Sequence, residues 1–138
     1  MNTNTILTHV YTLIKADALL MTYLTGVYKD SLPMARTGVD CVVSILANLS
    51  TKHTSQGALL IRIYVPDVDA GGDYVQDFAK CSILEDALKA LSDRINTKNV
   101  IQLILNSREI NTYKNVEMGN SVPNRQEHVV TLKINYLT

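Results

Sequence analysis

The 138-residue chain contains no tryptophan, one phenylalanine and only two cysteines, against seven tyrosines. It has no surplus of charge either: Lys plus Arg and Asp plus Glu each number 13. No overall field draws such a chain to nucleic acid or to an anionic membrane, which argues against a DNA-binding role. The longest apolar run falls far short of the ~18 residues that a membrane span needs. The opening stretch, MNTNTILTHV, lacks the positive start and unbroken apolar core of a signal peptide. The chain is therefore expected to stay in the cytosol where it is made, with reduced thiols. Cys41 and Cys81 sit inside apolar patterns that suit packing, and neither belongs to a CxxC pair or a Cys/His group at zinc spacing. There is no internal repeat, low-complexity tract or interdomain linker.

What is present is an ordinary globular composition, 46% hydrophobic and 19% charged, at a length that suits one domain over residues 1–138. Ile6, Val10, Leu13, Leu20 and Leu24 recur at helical intervals, with Asp17 interrupting them and Gly26 as a candidate C-cap. The spacing predicts one helix over 4–25, or two short helices broken near Lys15–Asp17. Residues 27–38, with Pro33 and Gly38, read as an irregular connection. The period then changes to two. Val39, Cys41, Val43, Ile45 and Ala47 share one face of a strand, and Leu59, Ile61, Ile63 and Val65 share one face of the next. Asp40 and Arg62 lie on these two strands and form a candidate cross-strand ion pair.

A strong helical stripe follows over 74–96, built from Phe78, Cys81, Leu84, Leu88, Leu91 and Ile95. Two more strand patterns close the chain: residues 99–110, where Ile101, Leu103 and Leu105 alternate against Val100, Gln102 and Ile104, and His128–Tyr136. The order helix-strand-strand-helix-strand-strand predicts an α+β domain. Its sheet is four-stranded and mainly antiparallel, with two helices packed on one face.

Chemistry is scarce. The stretch VPDVDAGGDYVQDF has the look of a calcium loop, with Asp67, Asp69 and Asp73 spaced around two glycines. An EF-hand needs an oxygen ligand at position five and a glutamate at twelve, where this chain has Gly71 and Phe78. The reading is structural instead: Pro66 ends a strand, Gly71–Gly72 reverse the chain, and Asp73 caps the following helix. Gln76 completes the capping box. No catalytic, cofactor-binding or metal residue is assigned, because His9, His53 and His128 have no local catalytic arrangement. The chain is expected to be no enzyme.

Two features point instead to assembly. The tyrosines suit half-buried surfaces and protein interfaces, or the rim of the core. The loop 111–126 is long for a compact domain and rich in polar groups. It forms a candidate assembly arm, with Tyr113, Lys114, Asn115, Glu117, Met118, Asn120 and Arg125 as candidate interface residues.

The segment VYTLIKADALLMTYLTGVYKDSLP resembles the opening of the tail-completion or tail-terminator proteins of tailed bacteriophages. Leu13, Asp17, Leu20, Leu24, Gly26 and Tyr28 occupy that family's pattern, with Val27 where isoleucine is usual. LLIRIYVPDVDAGGDY, the helix after it and the final VVTLKINYLT fit the same order of elements. The resemblance implies a non-enzymatic virion part made in the host cytoplasm. It would be a homo-oligomeric ring, a hexamer, that terminates the tail tube and joins it to the head connector. The implied partners are further copies of itself, the tail-tube protein and head-connector or adaptor proteins. DNA would pass through the lumen without specific binding, which a near-zero net charge permits. Neither a cofactor nor a membrane is implied. Two departures, the missing proline-aromatic entry between Pro33 and Gly38 and the long 111–126 loop, leave a head-closure or connector role in the neck open. A different class of function, a ferredoxin-like regulatory domain for a small ligand, is the remaining alternative.

Overall fold

In the computed structural model, residues 3–33, 38–50, 55–97, 104–115 and 126–137 are described. The chain opens with α1 (Thr3–Lys15) and α2 (Ala18–Tyr23). Of the two helical readings, the broken one is correct, and Asp17 is the reason. Its backbone leaves the helical region (φ −83, ψ 108), and its side chain accepts a hydrogen bond from the Leu20 amide at 2.9 Å. Asp17 thus ends one helix and caps the next.

Among the described residues, ten elements follow one another. After α2 come β1 (Gly26–Lys29), β2 (Asp40–Ser50) and β3 (Ser55–Pro66), then a small pair, β4 (Val68–Ala70) and β5 (Asp73–Val75). The long helix α3 (Phe78–Thr97) leads to β6 (Ile104–Lys114) and β7 (Glu127–Leu137). The main sheet has five strands in the order β1-β2-β3-β7-β6, with β1 parallel to β2 and every other pairing antiparallel. A separate two-stranded sheet joins β4 to β5.

This corrects the expected four-stranded, two-helix arrangement. The extra main-sheet strand is β1, which lies where an irregular connection and a C-cap at Gly26 were expected. Four residues are too few to display a period of two, and a parallel partner cannot be inferred from a neighbouring hairpin turn. Leu24 forms the C-cap of α2, and Gly26 begins β1. At the far end of β1, Asp30 takes a left-handed φ of 72° while its amide donates to the Val43 carbonyl at 2.8 Å. That turn releases the chain from the sheet. Leu32 then packs against Val42, Tyr64 and Val129 on the sheet's outer face.

The core lies between the sheet and the helices. Ile6, Val10 and Ile14 of α1 and Leu84, Leu88, Leu91 and Ile95 of α3 are fully buried, as are Leu59, Ile61, Ile63, Val130, Leu132 and Ile134 of the sheet. Each such side chain contributes about 1.5–3 kcal/mol by leaving water. Polar ties fix the helices over it. Arg94 of α3 pairs with the Asp17 cap. Arg108 of β6 reaches Ser92 at 2.7 Å and Asp93 at 2.5 Å on α3.

Candidate functional site: an assembly surface at one end of the sheet

Asp67, which follows β3, the start of β7, and the end of β6 meet at one end of the sheet. Asp67 donates its amide to the Gln126 carbonyl at 3.0 Å, and its buried carboxylate lies 2.7 Å from Nδ1 of His128. Beside them, Asn115 donates from its side chain to Glu127 Oε1 at 2.8 Å and from its backbone to the Glu127 carbonyl at 3.1 Å. These bonds clamp both roots of the 116–125 segment to the sheet.

The β4–β5 hairpin springs from this end. Its register pairs Ala70 with Asp73, which leaves Gly71 and Gly72 as a two-residue turn with φ of 75° and 99°. Two successive positive φ values define the type I′ geometry that matches the twist of antiparallel strands, and glycine adopts it without strain. Asp69 reinforces the turn by accepting from the Gly72 amide at 2.8 Å.

The hairpin overturns the expected cap. Asp73 is the first residue of β5, and α3 begins at Phe78. The capping residue is Asp77. Its carboxylate accepts from the Lys80 amide at 3.2 Å, and its carbonyl accepts the first helical bond from Cys81 at 3.0 Å. The glycine pair forces a hairpin first, so the helix starts four residues later than the Asp73–Gln76 pattern implies. Gln76 instead hydrogen-bonds Cys81. The carboxylates that resemble a calcium loop also separate: Asp67 faces His128, Asp69 serves the turn, and Asp73 lies on an exposed strand.

All six residues of β4 and β5 are exposed, including Val68, Tyr74 and Val75. Phe78, placed by its helical spacing in the core stripe, is 70% exposed at the first turn of α3. Together these side chains make an apolar protrusion that periodicity alone missed. The signal was available in the glycine pair flanked by VDA and DYV, a hairpin signature.

Among the candidate interface residues, Tyr113 and Lys114 are exposed at the end of β6. Asn115 is half-buried in its bonds to Glu127. Glu117, Met118, Asn120 and Arg125 lie outside the described residues, as do most of the expected arm and His53. Among the described strands, β6 is also an edge of the sheet, with one row of its backbone groups facing outward. The other tyrosines divide. Tyr64 and Tyr136 are buried, while Tyr11, Tyr23 and Tyr28 pack at the rim.

The thiols are poor nucleophiles. Burial, helped by the Asp40 charge, pushes the Cys41 thiol up to about 12. Burial raises Cys81 too, with Asp77, Glu85 and Asp67 adding to the effect against the Gln76 hydrogen bond. A thiol held protonated in this way is inert at neutral pH. Asp40 and Arg62 are diagonal neighbours on one face, since the register sets Asp40 opposite Tyr64 and Arg62 opposite Val42. Among the described residues, no three His, Cys, Asp or Glu side chains are grouped to hold a metal ion. No described helix is long and apolar enough to cross a membrane.

No protein-family model matches the chain, and no curated protein matches it. Among solved structures, the chain is similar to one in the "Virion of native gene transfer agent (GTA) particle". The two are 15% identical with a TM-score of 0.43, and the match covers 94% of this chain and 92% of that one.

Proposed function

We propose that this chain is a non-enzymatic structural protein of a tailed-phage virion, a tail terminator whose copies close into a ring. In that role the ring ends the tail tube and meets the head connector, and DNA passes through its lumen. The observation that carries the reading is the surplus of assembly surface: the Ile110–Lys114 half of β6, an edge among the described strands, and a hairpin whose residues are all exposed. A protein that worked alone would gain by covering or blunting both. The sequence pattern behind the phage resemblance also has a physical basis. Leu20 and Leu24 are buried in the core, Asp17 caps α2, and Gly26 to Tyr28 run into β1. The inert thiols and the structural bonds of Asp67 and His128 fit a scaffold role.

The test is to purify the full chain with and without the tail-tube protein, then measure mass by light scattering and inspect particles by negative-stain microscopy. Rings of uniform size, free or seated on tube ends, are expected. A mass fixed at that of one copy under both conditions would overturn the reading. Rings that bind portal-side proteins but never the tube would favour the head-closure or connector role.

A further inference from the structure

We infer that the β4–β5 hairpin of one copy adds to the β6 edge of the next, with β5 antiparallel to β6, placing Tyr74 against Tyr113 and Asp73 near Lys114. The inference rests on the ring reading above and names the surfaces that would make the ring. Three observations single out this pairing, and the first is charge. The hairpin from Val68 to Val75 has two aspartates, Asp69 and Asp73, and no Lys or Arg, whereas Ile110–Lys114 has one lysine and no acid. A second copy thus offers the complement of what the hairpin carries.

The second observation is the uneven guarding of the β6 edge. Its first half is interrupted by a register shift between Leu105 and Ser107, and Arg108 is held by Ser92 and Asp93. Bulges and charges of this kind blunt an edge. The half from Ile110 to Lys114 has neither bulge nor acid, and its exposed Tyr113 lies level with Val129 and Tyr64 across the sheet. The third is the hairpin itself. Two three-residue strands with every residue exposed are marginal in water, and pairing with a third strand would stabilise them. Beyond β4, no described strand pairs with β5. Tyr74 beside Tyr113 would form a cross-strand aromatic pair. Hairpin to edge is a heterologous contact, the kind whose repetition by a closing rotation makes a ring.

The test mixes full-length Tyr74→Cys with full-length Tyr113→Cys under a mild oxidant and looks for a disulfide-linked pair containing one of each. The native thiols are buried and should not compete. A cross-linked pair is expected, and none when Leu19→Cys, exposed on α2, replaces Tyr74→Cys. In parallel, Asp69→Lys with Asp73→Lys should raise the concentration for half-assembly by about tenfold or more, and Lys114→Glu in the same chain should bring it back. Circular dichroism of each variant confirms that the domain is folded. Assembly unchanged by the charge reversal, or cross-linking as efficient from Leu19→Cys, would overturn the inference and leave the ring reading standing. A parent chain that stays a monomer with the tail-tube protein present would overturn both.

Discussion

Strands β3 and β5 sit only six residues apart in the chain, yet they follow opposite rules. β3 pairs on both edges, with β2 and β7, and buries Leu59, Ile61, Ile63 and Val65 under the helices. β5 pairs on one edge with three residues of β4 and buries nothing. The first is a strand because its side chains leave water. The second is a strand because two glycines turn the chain back on itself. Stability is therefore concentrated in the sheet, while the hairpin is left free to serve a surface role.

The largest expected effect tests that division. Ile61→Ala should cost about 2–5 kcal/mol of folding stability by leaving a cavity under the helices. Val75→Ala in the isolated protein should stay within about 0.5 kcal/mol, as surface changes do. Urea midpoints for the two variants would decide it, and similar losses would erase the distinction between the regions.

Next comes Asp17. Burial works against its ionisation, but the Leu20 amide, the Arg94 guanidinium and the Leu19 amide outweigh it, so its pKa lies below the ordinary carboxylate value. A group depressed on folding stabilises above its unfolded pKa, near 3.8, and loses that contribution as pH falls through the folded value. Asp17→Ala should cost about 1–2 kcal/mol at neutral pH. Asp17→Asn keeps a capping oxygen and should lose less, with a flatter fall in melting temperature below pH 4. An unchanged acid limb in Asp17→Asn would assign the acid sensitivity to other carboxylates.

The helix start supplies a smaller contrast. Asp77→Ala should cost about 1 kcal/mol, and Asp73→Ala less than about 0.5 kcal/mol, by thermal denaturation. The reverse ranking would restore the capping box that the hairpin displaces. Least of all, Gly71→Ala should leave the global midpoint in place, because its strain falls on the turn alone. Faster amide exchange confined to 68–75 would be its signature.

Much of the layout was legible in the sequence. Alternation in β2 and β3 and the stripe from Cys81 to Ile95 placed the core correctly, because burial writes a period into the chain. Helices covering one face followed from the same patterns. Three things were not legible. Strand β1 has four residues and takes its identity from hydrogen bonds to β2, a partner fixed only by the tertiary fold. Phe78 matched the helical stripe, yet it sits at the first turn of α3, beyond the part of that helix that buries its apolar side. The exposed surface at Tyr74, Val75 and Phe78 escaped because solvent-facing apolar residues write no period of their own. Residues 111–114, expected at the start of the loop, instead continue β6 and pair with β7, with Tyr113 and Lys114 exposed, whereas Asn115 is fastened to Glu127 and helps close the loop's root.

The strand order has a consequence for how the molecule is made. Of the described strands, β7 leaves the ribosome last, and it is the one that bridges β3 and β6. Until it arrives, both of those long strands present open edges, and the sheet cannot close by growing in the order of synthesis. A nascent chain is thus at its stickiest just before β7 emerges, and loss of this eleven-residue strand would open the β3 edge and the inner edge of β6 in addition to the outer edges at β1 and β6. The emergence of β7 therefore sets the moment at which the sheet stops offering its inner edges to other chains.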